Sequence, residues 1–442
     1  GMGPGQRWRS GIESEGEAGM IKIIEHLKND PQVSDYKVNA HRKESYELFF
    51  VKGKLETVRC TDNTDKEVTV YVRHGEFMGD STFFVYTSTT EQQLKELIGE
   101  AVQKALLINN PAYTLPEGQT GTYEVKSNIS EEEMTDVARQ VAEAVFEANS
   151  RENCALNSVE VFINRHTEQV MNSRGLDKKQ VRYDAMLETI PTYNGSDRSV
   201  ELYHQYNFGA MDQGRIKQEI LQKLMEVQGR YEAQTPEKLC TDQVLLNIQE
   251  VATLYMEYAY DLNYGSVYSH SNLFKKGEAI QKEPAGDLLG VTMAGQAEGC
   301  VRSAQFDSDG MALGSVRLID QGKALNYFGS NRYGQYLNEK PTGMLSCLCA
   351  DAGTLDETQL QEEYLEVVSM SGLQVDLYND YIGGEVRLAY LHSQGEVTPV
   401  TGISISGTLS QVMESIHFSK KTGIYNGFVG PEKALLSNMK IY

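Results

Sequence analysis

The sequence predicts an α+β fold made of two regions with different texture. From Met20 to about Pro191, strand patterns rich in β-branched and aromatic residues alternate with amphipathic helical patterns. From about Val244 onward, glycines and short strand patterns dominate. A chain of 442 residues is also too long for one ordinary domain. We therefore expect an N-terminal α/β domain with hairpins and amphipathic helices, followed by a mostly antiparallel β domain.

Two hairpins and two helices define the N-terminal region. Residues Ser45–Arg59 read as two strands joined by a Lys-Gly turn, in which Gly53 supplies a positive φ. Residues Lys66–Thr87 read as a second pair of strands. A capped amphipathic helix is predicted over Thr89–Ile108, and another over Ser130–Asn149 with acidic residues in its first turn. The short links between the strands imply an antiparallel component.

The middle and end of the chain carry further strands and turns. Residues Val159–Tyr193 read as successive strands around an Asn-Ser-Arg-Gly turn, and Met211–Leu239 reads as a long charged helix that joins the two regions. In the β-rich half, hairpin turns are predicted at Ser308–Gly310, Gln321–Lys323 and Gln394–Glu396.

These patterns give a domain plan. The first residues combine glycine with charge and have no apolar stretch, so they do not read as a signal peptide. We expect the first helix to open at Met20. The predicted segments are a disordered leader (1–19), an N-terminal α/β domain (20–193), a connecting segment with the long helix (194–243) and a C-terminal β-rich domain (244–442).

The charge balance argues against several partners. The chain has 41 Lys and Arg residues against 62 Asp and Glu residues, a formal charge of -21. Phosphate groups of nucleic acids and anionic lipids need clustered cations, so we expect no direct contact with nucleic acid or membrane. No stretch approaches the ~18 apolar residues that span a bilayer. We expect a cytoplasmic protein.

Cysteine and histidine spacing offers no local metal site. The six cysteines contain no CxxC pair, and the CxC of Cys347 and Cys349 fits buried small residues on one strand face. No two of the eight histidines lie within five residues of each other, although distant histidines could meet in the fold. The stretch Phe306–Gly310, "FDSDG", lacks most ligand positions of a calcium loop and fits a polar turn. No nucleophile elbow, P-loop or dinucleotide fingerprint is present.

The helix-like run "LYMEYAYDLN" (Leu254–Asn263) is unusual, because four tyrosines surround one glutamate here and just beyond. Tyr255, Tyr258, Tyr260 and Tyr264 fit either an aromatic surface for a partner or peptide, or plain core packing. We keep Tyr258 and Tyr264 as candidate surface residues. Glu257 is a weak catalytic candidate, because a glutamate in a helix needs no function to be there.

Several stretches together resemble the TldD/PmbA family, known as modulators of DNA gyrase and as metalloproteases. They are "ELFFVKGKLETVR", the "NSRG" turn, "VLLNIQEVATLYMEYAYDLNYGSVYSHSNLFKKGEAI", "FDSDGMALGSVRLIDQGKALNYFGSNRYG" with a following "PTG", and "VTPVTGISISGTLSQVMESI". Their order and spacing cover nearly the whole chain from Met20. The resemblance is closer to the PmbA branch, also called TldE.

The resemblance implies a two-domain subunit that pairs with a homologous partner. In the TldD branch, HExxxH on a helix and a late cysteine hold zinc, and the glutamate acts as general base. Laid over that motif, this chain keeps the acid at Glu257 and places Met256 and Asp261 at the two histidine positions. No cysteine follows Cys349. Methionine suits a hydrolytic zinc poorly and one aspartate cannot hold it alone, so we expect no metal and no cofactor.

Three functions remain open from the sequence. The first is a metal-free, PmbA-like subunit of a peptidase assembly that acts on unfolded or extended peptides with a TldD-like zinc subunit. The second is a self-sufficient homodimeric metallopeptidase whose ligands are dispersed in the sequence. The third is a non-enzymatic regulatory protein of the gyrase-modulator kind. Extended peptides are commonly held by strand addition, for which the β-rich half could offer an edge.

Overall fold

The protein is an α+β fold, as the sequence predicts. The computed structural model describes residues 4–239, 241–356, 358, 360 and 363–442. Its strands form one large sheet in the first half of the chain and two sheets in the second half. Within the described residues, no helix is both long and apolar enough to cross a lipid bilayer.

The first sheet is built from long antiparallel strands. They are β1 (Asp35–Val51), β2 (Lys54–His74), β3 (Phe77–Val85), β4 (Thr120–Glu124), β5 (Cys154–Asn172), β6 (Asp177–Asn194), β7 (Ser199–Glu201) and β8 (His204–Phe208). Their order is β3-β2-β1-β5-β6-β4, with β7 and β8 also pairing with β6. Strand β4 runs parallel to β6, and the other neighbours are antiparallel.

The predicted turns of this sheet are confirmed. Lys52 and Gly53 both have positive φ between β1 and β2, as a two-residue hairpin that follows strand twist requires. The Asn-Ser-Arg-Gly turn joins β5 to β6, with Gly175 at φ 82°. The β1–β2 hairpin is longer than predicted, because β2 continues beyond Arg59 through the mostly polar residues 60–65 in register with β1.

Helices cover the same sheet. They are α1 (Pro4–Asn29), α2 (Glu91–Leu106), α3 (Met134–Ala148) and α4 (Gln213–Glu232), with a short 3-10 turn at Asn128–Glu131 before α3. Thr90 and Gln93 form the capping box of α2, which confirms the predicted capped helix. The apolar faces of α3 and α4 share a core with β1, β5 and β6, and α1 and α2 pack on β1 and β2. Helix α3 begins later than predicted because residues 128–131 form the tighter turn.

Helix α1 differs from the expectation of an unstructured leader over 1–19. The helix begins at Pro4, where proline is favoured because its fixed φ suits the first helical position. No other proline follows before Pro31. Its C-terminal part buries Met20 and Leu27 in the core of the sheet, which anchors the helix. The first helix thus begins before Met20, and the rest of the predicted leader, residues 1–3, lies outside the described residues.

The second half contains two mostly antiparallel sheets. Their strands are β9 (Val244–Asn247), β10 (Val291–Ala294), β11 (Ser315–Asp320), β12 (Lys323–Ala324), β13 (Cys347–Ala350), β14 (Tyr364–Met370), β15 (Gln374–Asp376), β16 (Tyr381–Ser393), β17 (Glu396–Val400), β18 (Ile403–Thr408), β19 (His417–Phe418), β20 (Thr422–Tyr425), β21 (Phe428–Pro431), β22 (Lys433–Leu436) and β23 (Lys440–Ile441). One sheet has the order β12-β11-β10-β13-β21-β20. The other is β19-β22-β9-β14-β16-β18-β23, with β15 and β17 on β16.

One helix lies at the centre of this half. The helices here are α5 (Ile248–Asp261), α6 (Tyr264–Tyr268), α7 (Asn331–Tyr336) and α8 (Leu409–Ser415). Residues of α5 share one apolar core with both sheets. The predicted turns at Gln321–Lys323 and Gln394–Glu396 are present, each with two residues at positive φ. The strands form two groups, residues 35–208 and residues 244–441. Strands β7 and β8 lie in the segment predicted to connect the domains, but they pair with β6 and so belong to the first sheet. The domain boundaries themselves stay a prediction.

The "FDSDG" stretch joins the two halves as a polar turn. Asp307 accepts hydrogen bonds from the backbone N–H groups of Asp309 and Met311, which closes the turn as predicted. The buried Lys178 of β6 donates to the carbonyl oxygen of Gly310 at 2.8 Å. Lys37 of β1 pairs with Asp309 at 2.7 Å. The turn is therefore fixed to the first sheet by buried and partly buried cations.

Candidate functional site

Helix α5 is the candidate site that the sequence singled out. It follows β9 directly and carries apolar residues at helical spacing, so its buried face comprises Val251, Leu254, Tyr255 and Tyr258. Its first turn contains Glu250. One face of the helix is thus buried in the core of the second half. The residues outside this face are the ones available for binding or chemistry.

The tyrosine surface is mostly absent. Tyr258 and Tyr264, the candidate surface residues, are each only 2% exposed. Tyr258 packs against Phe274, and the hydroxyl of Tyr264 donates to the carbonyl oxygen of Lys340 at 2.8 Å. Tyr258 belongs to the apolar core that both sheets share, whereas the ring of Tyr264 packs beside Gly329 and Gly334. Tyr260, at 65% exposure, is the tyrosine of this run that reaches solvent.

The residues at the two histidine positions do not fit a zinc ion. Met256 packs against the apolar core. Asp261 is buried, and its carboxylate oxygens accept hydrogen bonds from the backbone N–H groups of Leu273 at 2.6 Å and Phe274 at 2.9 Å. The side-chain amide of Asn272 also donates to Asp261 at 3.0 Å. A carboxylate saturated by a turn of its own chain has little capacity left for a metal.

The wider search for ligands gives the same result. Across the part of the chain that the structure describes, no group of three or more His, Cys, Asp or Glu side chains is placed to hold a metal ion. Zinc, which the family resemblance implies for the TldD branch, therefore has no fitting ligand set at these positions.

Glu257 opens into a cleft. The cleft has a volume of about 560 Å³ and is formed between the C-terminal end of α5 and the segment around β15. Its lining includes Glu257, Tyr260, Asp376 and Tyr378. Burial, together with the nearby charge of Asp376, raises the pKa of Glu257 above its ordinary value. The wall is therefore acidic and aromatic, and it presents the short strand β15, which pairs with β16.

Sequence reasoning missed Glu250, a third acid on the same helix. Glu250 is 4% exposed, and its Oε2 atom has no hydrogen-bond partner among the described residues. Burial raises the pKa of Glu250 to about 7, although Lys223 and Lys433 lie close enough to oppose the shift. Lys223 is already paired with the buried Glu226 at 3.1 Å. No local signal distinguishes Glu250, because an acid in a first helical turn is ordinary.

Two histidines distant in sequence meet on the first sheet, and one of them, His41, lines a cleft between the halves. The Nε2 atom of His41 lies 2.8 Å from Nδ1 of His166, and Nε2 of His166 lies 2.9 Å from Oδ2 of Asp184. Burial lowers the pKa of His41. Burial opposes the ionised form of Asp184, but hydrogen bonds from His166 and Asn164 and the charge of Arg182 lower its pKa below the ordinary value. The histidine nitrogens bond to each other and do not converge on one point.

This cleft is small and polar. Its volume is about 310 Å³, and it lies between the first sheet and the loop 301–308. Arg182 pairs with Glu168 at 2.6 Å in its wall. His41 lines it as well. The local spacing of the histidines could not reveal this arrangement, since β1 and β5 bring His41 and His166 together across 125 residues.

Comparison with known proteins supports one family. Residues 240–442 match the family model described as the PmbA/TldA metallopeptidase C-terminal domain. No curated protein sequence matches the chain.

Solved structures share the whole fold. TldE from Thermococcus kodakarensis superposes with a TM-score of 0.76 at 15% identity, covering 96% of this chain and 99% of that chain. A protein from Bacteroides thetaiotaomicron described as a modulator of DNA gyrase gives 0.74 at 13%, covering 97% and 98%. One from Thermotoga maritima with a similar description gives 0.71 at 14%, covering 92% and 96%. At these identities the likeness is one of fold.

The matched C-terminal domain, the shared fold over nearly the full length and the ordered sequence stretches agree with one another. Residues 240–442 thus carry the C-terminal domain of the PmbA/TldA metallopeptidases, and the findings together support a member of the TldD/PmbA family.

Proposed function

We propose that this chain is a metal-free, PmbA-like subunit of a cytoplasmic peptidase assembly that acts on unfolded or extended peptides. Asp261 carries the proposal. At the position where the TldD branch has a zinc-binding histidine, this chain has a carboxylate that accepts hydrogen bonds from the backbone of Leu273 and Phe274. The residue serves the turn, and the bond-breaking chemistry belongs to a TldD-like zinc subunit.

The cleft beside α5 supports a role in holding peptide. Strand β15 has three residues, pairs with β16 on one side and lines the cleft together with Tyr260. An extended peptide binds by adding a strand to such an edge, with side-chain pockets giving selectivity. The acids Glu257 and Asp376 favour a peptide with a basic side chain at this point.

The outer part of β2 supports pairing with another subunit. Strand β3 pairs only with residues 66–74 of β2, so among the described strands residues 54–65 are hydrogen-bonded to β1 alone. Leu55 and Val58 are exposed on this stretch. A long unpaired edge with apolar side chains is a template for a strand from a partner chain. We assign this edge to the TldD-like subunit or, in a homodimer, to a second copy.

Reconstitution tests the proposal. The purified chain is mixed with a TldD-like protein that carries HExxxH, and cleavage of unfolded casein is measured for each protein alone and for the pair. We expect no cleavage by this chain alone and faster cleavage by the pair than by the zinc subunit. Glu257→Ala should leave the kcat of the pair nearly unchanged and raise the KM for a basic peptide, because this residue is assigned to peptide binding and not to bond breaking. Cleavage by this chain alone would instead favour a homodimeric peptidase.

A matched pair of variants tests the assembly edge. Leu55→Asp with Val58→Asp places charge on the free part of β2, and we expect it to weaken complex formation in size-exclusion chromatography. Leu107→Asp, at an exposed apolar residue beyond α2, is the control and leaves the complex intact. Equal effects of both changes would remove this edge from the proposal.

A further inference from the structure

Three cysteines meet beside the clefts that separate the two halves. Cys300 lies in the loop after β10, whereas Cys347 and Cys349 belong to β13. The Sγ atoms of Cys300 and Cys347 are 3.1 Å apart. Both residues are buried, at 4% and 0% exposure, and Cys349 lies partly buried in the same cluster. The CxC pattern thus places its two thiols toward a third one that is distant in sequence.

We propose that Cys300 and Cys347 form a reversible disulfide, which makes this cluster a redox-modification site. A disulfide needs its sulfur atoms about 2.05 Å apart, so the observed pair must close by about 1 Å. The loop can supply that movement. Cys347 is fixed in β13 opposite Ala294 of β10, whereas Cys300 follows a turn closed by its own N–H to the carbonyl oxygen of Ala297.

The surroundings give the two thiols different roles. The Cys347 thiol donates a hydrogen bond to the Cys300 sulfur, which lowers the pKa of Cys300 and raises that of Cys347. The backbone N–H and the charge of Arg302 lower the pKa of Cys300 further. The thiolate is the nucleophile in thiol oxidation. Cys300 is therefore the attacking residue and Cys347 the resolving one.

The oxidant is a peroxide. The Cys300 thiolate attacks one oxygen of hydrogen peroxide, the O–O bond breaks, and hydroxide leaves and takes up a proton as water. The product on Cys300 is a sulfenic acid. The Cys347 sulfur then attacks the Cys300 sulfur, loses its proton and displaces hydroxide, which leaves as a second water. Two thiols lose two electrons and two protons in total, and peroxide is reduced to water.

The loop that carries Cys300 lines both neighbouring clefts. Gly299 lines the cleft that reaches Tyr206 and Arg215, and Arg302 lines the cleft of His41. A small oxidant can therefore approach from either side. The same loop contacts the first half through the Gly209 N–H, which donates to the Gly299 carbonyl oxygen at 3.2 Å. The disulfide would tie this wall of the clefts to β13.

Oxidation of the full-length chain tests the site. The exposed Cys60 is first changed to Ser, because it would form disulfides between chains. The reduced protein is treated with millimolar hydrogen peroxide, free thiols are blocked, and the intact mass and the non-reduced peptide map are measured. We expect a mass loss of two hydrogen atoms, a crosslink between the peptides of Cys300 and Cys347, and full reversal by dithiothreitol.

Single variants separate this site from ordinary buried thiols. Cys349→Ser keeps the crosslink and makes its assignment within the CxC peptide unambiguous. Cys300→Ser and Cys347→Ser each abolish it, and Cys300→Ala with a circular dichroism spectrum shows that the loss is not unfolding. After peroxide treatment, the protein is denatured and its free thiols are blocked. The proposal would be overturned if Cys300 and Cys347 then still reacted with the blocking reagent, because they would have remained reduced. A crosslink that joins Cys347 to Cys349 would also overturn it.

Discussion

Replacing Glu250 with Gln should change how the stability of the protein depends on pH. Glu250 is buried at the start of α5, with one carboxylate oxygen lacking a hydrogen-bond partner among the described residues. The charged groups nearest to it are Lys223 and Glu226 of α4 and Lys433 of β22. Gln removes the titration and keeps the volume of the side chain.

The magnitude follows from the shift in the Glu250 pKa. Burial raises this pKa from 4.5 to about 7. Between these values the folded state keeps a proton that the unfolded state releases, so stability is highest below pH 4.5 and falls as the pH rises through about 7. The pKa of Glu250 rises from 4.5 to about 7, and each pKa unit corresponds to about 1.36 kcal/mol. The unfolding free energy therefore falls by about 3 kcal/mol across this pH range. The side chain is 4% exposed, so solvent screening does not reduce this figure much.

Urea unfolding followed by circular dichroism measures the effect. At about pH 5, close to the unfolded-state value, Glu250→Gln should change the free energy of unfolding little beyond any packing cost. The difference in unfolding free energy, variant minus parent, is measured at both pH values. It should be more favourable to the variant at about pH 8 than at the lower pH, by about 3 kcal/mol. Glu257→Gln on the same helix is the matched control, and its partly exposed carboxyl should show a smaller pH-dependent difference.

The reasoning fails if the parent and Glu250→Gln keep the same stability difference at both pH values. That result would mean that the carboxylate of Glu250 is solvated or paired in the folded protein. A pH-dependent difference of equal size in Glu257→Gln would also refute it, since the effect would then not arise from burial at Glu250.

Five further substitutions test contacts of the site and of the turn at Gly310. Tyr258→Ala should lower the unfolding free energy by about 3–5 kcal/mol, because it removes a side chain from the core. Tyr260→Ala should change it by no more than about 0.5 kcal/mol. Equal effects of the two changes in thermal unfolding would contradict the burial of Tyr258 and the exposure of Tyr260. Asp261→Ala should cost about 2–4 kcal/mol, since it leaves buried backbone N–H groups unpaired, and Asp261→Asn should recover part of that loss. Lys178→Met should cost about 1–3 kcal/mol in urea unfolding by leaving the Gly310 carbonyl without its donor, and an unchanged midpoint would show that this buried contact contributes nothing.

Local chemistry explains which parts of the fold the sequence predicts. The Lys52-Gly53 turn, the Thr90 cap of α2 and the turns of the second half each depend on residues within a few positions of one another. Their backbone preferences act before any tertiary contact forms. Fold class and family follow from the same local patterns taken in order.

Tertiary contacts explain what the sequence does not predict. Residues 60–65 of β2 are mostly polar, and they form a strand because β1 lies beside them in register. Which tyrosines of α5 are buried depends on the sheets that cover one face of the helix. The raised pKa of Glu250 arises from its burial in the tertiary fold. His41 meets His166 only because β1 and β5 pair across 125 residues of sequence.

The candidate site was predicted in part. The overlay of the zinc motif on Met256 and Asp261 pointed to α5, where Glu257 lines a cleft. It could not show that Asp261 closes a turn at Leu273, because that contact spans the α5–α6 corner. The roles assigned to these residues remain proposals, and the assignment of Tyr258 and Tyr264 to a surface was wrong.

The central claim is that this chain holds no zinc of its own. The most direct test is metal content by plasma mass spectrometry on protein purified without chelator and without a nickel column. We expect far less than one zinc per chain, because Asp261 is committed to its turn and Met256 to the core. Close to one zinc per chain would contradict the account and would make this protein a peptidase whose ligands lie elsewhere in the fold.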